Sequence, residues 1–130
     1  MDKVVSLLKY IFHFSVLLLI VISLFPGSLP GYFLYNDLSR QPSLITNPFG
    51  TAINHFICYF YVSMLGFYLY LKSNGFHKLV CGLLFLSIIL EVLQLIIPNR
   101  AFEIYDVSAN FIGVLIAYSR VKIYKFWKKL

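Results

Sequence analysis

Acidic side chains are scarce in this chain, with five Asp and Glu among 130 residues, and charged residues of all kinds make up 12% of it. A small soluble domain normally carries about 25% charged residues, so that class is excluded. Cysteine is nearly absent too. The two present, Cys58 and Cys81, are too few for a disulfide framework. They are also expected at opposite membrane depths, whereas bridged Cα atoms lie within about 7 Å. No CxxC and no metal-ligand spacing occurs, so neither a metal nor a cofactor is expected. The net charge of +6 would suggest a nucleic-acid partner only if the positions of the charges were ignored.

Apolar residues are plentiful, at 60%, and they are clustered. Tyr10 to Phe25, Ile53 to Leu71, Leu79 to Ile97 and the shorter Ile104 to Tyr118 are long apolar runs. About 20 such residues cross a hydrocarbon core as a helix. The expectation is a single domain over residues 1–130, an all-α membrane protein built as a four-transmembrane-helix bundle. Its spans fall at about 7–25, 53–71, 79–97 and 104–118. A cleavable signal peptide would explain the charged start of the first run. Its exit, "FPGSLPG", offers no small-x-small cleavage site.

The basic residues set the orientation. Lys3, Lys9, Lys72, Lys78, Arg120, Lys122, Lys125, Lys128 and Lys129 fall on the side that holds both ends, and Arg40 and Arg100 on the other. The positive-inside rule puts both termini in the cytoplasm, which requires an even number of spans. Between the first two runs lies a long outer loop, rich in Pro, Gly, Ser and Asn, that is expected to break helices and lie on the bundle. The tail "RVKIYKFWKKL" reads as a basic and aromatic interfacial anchor that continues the fourth span.

Polar groups inside the spans need a reason, because a charge at the bilayer centre costs about 3 kcal/mol on insertion scales. Glu91 lies about 9 Å below Ile97 at the helical rise, and Asn110 falls at a similar depth. His55 is about one turn below the outer surface, and Asp106 is at the mouth of the fourth span. Arg100 is in the turn above. Ser87, Glu91 and Gln94 share one helical stripe. A second stripe holds Asp106, Asn110, Gly113 and Ala117, and a third holds His55, Tyr59, Ser63, Gly66 and Tyr70. His55, Glu91, Gln94, Arg100, Asp106 and Asn110 are therefore expected to form one polar cluster open to the outside. Arg100 suits a carboxylate or phosphate and has Asp106 as its expected partner. Glu91 beside His55 suits an acid–base pair or a headgroup pocket. Pure helix glue is the bland alternative, since interhelical polar bonds are common. His13, near the inner end, reads as an interfacial histidine.

Two blocks carry a resemblance. "INHFICYFYVSMLG" is similar to a His-Phe span start, and "EVLQLIIPNRAFEIYDVSANFIGVLIA" resembles the pattern of the VanZ-like membrane proteins. Glu91, Gln94, Pro98, Arg100, Phe102, Asp106, Asn110 and Gly113 match in order and spacing. The chain departs where members commonly have Asp-Lys before the His, because Thr51 and Ala52 stand there. Asn99 and Ala117 stand where Gly is frequent. The resemblance implies a multi-pass protein of the bacterial cytoplasmic membrane, an accessory of cell-envelope or exopolysaccharide pathways. The name-giving member is associated with resistance to teicoplanin. The partners implied are membrane lipids, a lipid-linked glycan or envelope-assembly membrane proteins, with no nucleic acid and with an oligomer allowed. No rhomboid-type Ser motif and no lipid-phosphatase signature is present, so catalytic residues are unassigned. A binding role is expected ahead of an intramembrane enzyme acting on a lipid-linked substrate, or a purely structural subunit.

Overall fold

The computed structural model describes residues 2–43 and 50–129 and, among them, contains helices and no strands. The helices are α1 (Asp2–Leu24), α2 (Leu29–Tyr35), α3 (Ala52–Leu69), α4 (Phe76–Leu93) and α5 (Ile104–Trp127). A single 3-10 turn, Gln94–Ile96, extends α4. Three helical segments are long and apolar enough to cross a membrane: α1, α3, and α4 with its 3-10 turn. At 1.5 Å per residue the 24 residues of α5 reach about 36 Å. Its second half is the basic tail, which continues the helix without a break, and α5 is the one long helix outside that apolar set.

Part of the long loop between the first two apolar runs is helical, where breakers alone were expected. Ser28, in extended conformation, accepts the Gly31 amide on its Oγ at 3.0 Å, and Pro30 stands in the first turn, where its missing N–H costs nothing. Asn36, at φ 54°, closes α2 in the left-handed region. The segment then folds back, with the Ser28 amide donating to Leu38 O at 2.7 Å. Asp37 ends it; the Ser39 hydroxyl and amide both donate to its carboxylate and hold its pKa below the ordinary value. The remainder of that loop, at 44–49, lies outside the described residues.

α3 and α5 form the centre, packing along most of their lengths. The core is Phe12, Tyr59, Val62, Phe67, Leu71, Phe76, Leu83, Val114, Ala117 and Val121. Gly113 permits the contact: a Cβ there would stand 2.8 Å from Phe56 O and 3.1 Å from Phe60 N. α1 is peripheral, with Phe12 its one buried residue, lying over Gly66. The outer surfaces are apolar, with Tyr10, Phe14, Leu17, Phe85 and Tyr105 all uncovered. Such extensive bare apolar area belongs against lipid.

Side-chain contacts fix which ends lie together. The Tyr70 hydroxyl meets His13 Nε2 at 3.2 Å, and the Tyr68 and Tyr124 rings lie 5.9 Å apart. The first half of α1, the end of α3 and the end of α5 thus share one end of the bundle. The end of α1, the start of α3, the end of α4 and the start of α5 share the other. Cys58 and Cys81 are free thiols on exposed faces.

Candidate functional site

Three helices converge at that second end. The first turn of α3 supplies His55, the last turn of α4 supplies Glu91, and the start of α5 supplies Asp106 and Asn110. His55 Nδ1 lies 3.1 Å from Asn110 Oδ1 and 3.9 Å from Glu91 Oε2. His55 Nε2 faces Asp106 Oδ2 at 3.4 Å. Asn110 Nδ2 donates to Ser87 O at 3.3 Å, which ties α5 to α4. All but His55 are buried; the imidazole, 20% exposed, stands at the mouth.

The local sequence explains the placement. α5 starts after extended Glu103, which puts Asp106 in the first turn and Asn110 one turn deeper. Pro98 disfavours helix at the residue before it, and α4 gives way to a 3-10 turn that buries Gln94 beside the cluster. Asn99 takes φ 61°, a conformation Gly and Asn tolerate better than other residues. That accounts for Asn at a position where the resembled pattern often has Gly.

Arg100 takes a different role from the one its charge suggests. Its Nε donates to Phe25 O at 3.0 Å and its Nη2 to Ile22 O at 2.5 Å. It satisfies carbonyls that the end of α1 leaves without helical partners, and it sets a cation against the negative end of that helix. Among the described residues no carboxylate lies within 4 Å of it, so the expected pairing with Asp106 is absent. Burial lowers the Arg100 pKa, while Glu91 and Asp106 act in the opposite direction through space. An Arg100→Met variant should lose the clamp on α1. The expected cost is about 1–3 kcal/mol for hydrogen bonds from a charged donor, measured by thermal unfolding in detergent. An unchanged midpoint would count against the clamp.

Sequence reasoning missed two contributors. Asn54 donates to Pro42 O and holds the loop before α3 beside His55, and its own Oδ1 is buried without a partner. Standing next to His55, it falls outside the helical stripe that pointed to the others. The Ser87 carbonyl is the second, and backbone groups leave no mark in a side-chain pattern. Phe102, part of the matched block, is exposed and outside the cluster. A cavity of about 480 Å³ lies between the loop after α1 and Asn99, lined by Pro26, Gly27, Ser28 and Leu38 among others. It adjoins the Arg100 turn and is separate from the cluster.

The family model VanZ/LLP1 matches residues 12–127, nearly the whole chain and all of the cluster. The chain belongs to the VanZ/LLP1 family. Comparison with curated proteins and with solved structures returns no match.

Proposed function

We propose that this chain is a multi-pass accessory protein of the bacterial cytoplasmic membrane whose buried polar cluster binds a headgroup of an envelope lipid or glycan. α5 is read as the fourth span, with its basic second half in the cytoplasm and both chain ends on that side. The cluster then faces the cell exterior. Antibiotic tolerance and envelope polysaccharide or lipid assembly are the settings this reading favours.

One observation carries the reading: Glu91 Oε1 and Asp106 Oδ1 are buried without a hydrogen-bond partner beside a half-buried imidazole at the mouth. Buried acceptors without donors are costly, about 1–3 kcal/mol or more each, and ionisable groups inside a membrane protein are a functional signal by default. Glycan hydroxyls or an amine supply the missing donors. A membrane partner presenting donors is the other occupant.

The test compares binding of lipid-linked glycans in nanodiscs by wild type, Glu91→Gln and Asp106→Asn. A loss of about tenfold or more in the variants, with helicity retained, is the expected result, since one lost charged hydrogen bond accounts for that factor. Equal binding by all three removes the cluster from the account. A second reading, an intramembrane enzyme, has one observation in its favour: His55 lies between two carboxylates, as an acid–base centre requires. Turnover of a lipid-linked glycan, lost in Glu91→Gln, would favour it.

A further inference from the structure

Asn110 decides the protonation pattern of His55. Its Nδ2 donates to Ser87 O, so its Oδ1 is the atom turned to the imidazole, 3.1 Å from Nδ1. An oxygen there accepts, so the proton of a neutral ring sits on Nδ1 and the lone pair on Nε2. That lone pair faces Asp106 Oδ2, itself an acceptor, at 3.4 Å. Two acceptors in contact repel unless something positive stands between them. Arg100 does not supply that charge, because its guanidinium is spent on α1 carbonyls. Among the described residues no Lys or Arg pairs with Glu91 or Asp106 within 4 Å.

We propose that His55, Glu91 and Asp106 form a binding site for one divalent transition-metal cation, with His55 Nε2 and the two carboxylates as ligands. One ligand atom from each of the three lies within 4.8 Å of the others. Asp106 already faces Nε2, whereas Glu91 lies nearest Nδ1, at 3.9 Å, and joins a metal on Nε2 only by a shift of its carboxylate. Donors on a tetrahedral zinc at about 2.1 Å stand about 3.4 Å apart, the separation of the His55 and Asp106 atoms. One nitrogen and two carboxylate oxygens suit Zn²⁺ or Mn²⁺, and two negative ligands neutralise a divalent ion, which lowers the cost of keeping all three charges under cover. Glu91 Oε1 and Asp106 Oδ1 add unpartnered acceptors on side chains more than nine-tenths buried. The Nδ1–H to Asn110 bond is the outer-shell contact that orients a metal-bound histidine. Three protein ligands leave a coordination position open toward the mouth, where a phosphate or glycan oxygen can bind. The ligands come from three helices, which is why no spacing along the chain announced them.

This deepens the headgroup reading and rests on the same outward-facing cluster, yet metal uptake is measured with no headgroup present. The full chain in detergent is stripped with a chelator, equilibrated with Zn²⁺ or Mn²⁺, and examined by elemental analysis and calorimetric titration. Wild type should take up about one equivalent, with Asp106→Asn and Glu91→Gln weakened about tenfold or more. The same-shape substitutions keep the fold, checked by circular dichroism, and His13→Ala, at the other end of the bundle, should bind as wild type. Wild type without metal overturns the proposal and assigns the His55–Asp106 gap to a proton. Undiminished binding by both carboxylate variants overturns it as well. Metal uptake without headgroup binding would remove the previous reading alone, and headgroup binding without metal uptake this one alone.

Discussion

A Gly113→Ala variant is expected to unfold at a clearly lower temperature than wild type, by a destabilisation of about 1–3 kcal/mol, the usual range for overpacking. The added Cβ would stand 2.8 Å from Phe56 O and 3.1 Å from Phe60 N. Both are backbone atoms inside a helix and cannot swing aside as a side-chain tip would, so α3 and α5 must separate. Their separation also draws His55 away from Asp106 and Asn110, because the histidine rides on α3 and its partners on α5. Gly82→Ala is the matched control. A Cβ there meets nothing within 4 Å, and alanine is favoured over glycine in a helix by about 0.5–1 kcal/mol. Detergent unfolding curves that rank Gly113→Ala level with Gly82→Ala would show that the helices do not approach so closely.

Asn110→Leu carries the second large effect. The substitution keeps the size of the side chain and deletes both of its bonds, so Ser87 O is left with only its own helix's amide and His55 Nδ1 loses its acceptor. Each lost hydrogen bond costs about 0.5–1.5 kcal/mol. Unfolding measurements should place Asn110→Leu below wild type. Nitrogen NMR of the imidazole should show the Nδ1–H tautomer fixed in wild type and mixed in Asn110→Leu. A wild-type midpoint for Asn110→Leu would mean that these contacts do not support the bundle.

Much of the interior was legible because a helix forces residues four apart onto one face. Ser87, Glu91 and Gln94 are buried together, and so are Asp106, Asn110, Gly113 and Ala117, as the stripes required. Three of the apolar runs became candidate spans. The fourth ends at 118 by hydropathy, and the helix continues to Trp127 as the tail was expected to, because lysine and arginine are good helix formers and nothing in the tail breaks the backbone.

Arg100 was misassigned to Asp106 because charge pairing was the one signal a sequence displays. The rival attraction, a helix end with bare carbonyls, belongs to a segment more than seventy residues earlier and exists only once α1 is docked. α2 was hidden for the opposite reason. Pro30 and Gly31 signal a turn, and they begin a helix only because Ser28 caps them. The charge balance of the cluster was equally out of reach. The carboxylates could be counted, but whether a cation faced them depended on which way one guanidinium turned.

The continuous helix of α5 places the molecule's single indole, Trp127, at its far tip, 81% uncovered and remote from the buried polar groups. Indole emission, excited beyond the absorption of the ten tyrosines, is therefore a gauge of tail depth, with no second indole to dilute it. Quenchers attached at graded positions along lipid chains would read how far that tip sinks, with no label and no mutation.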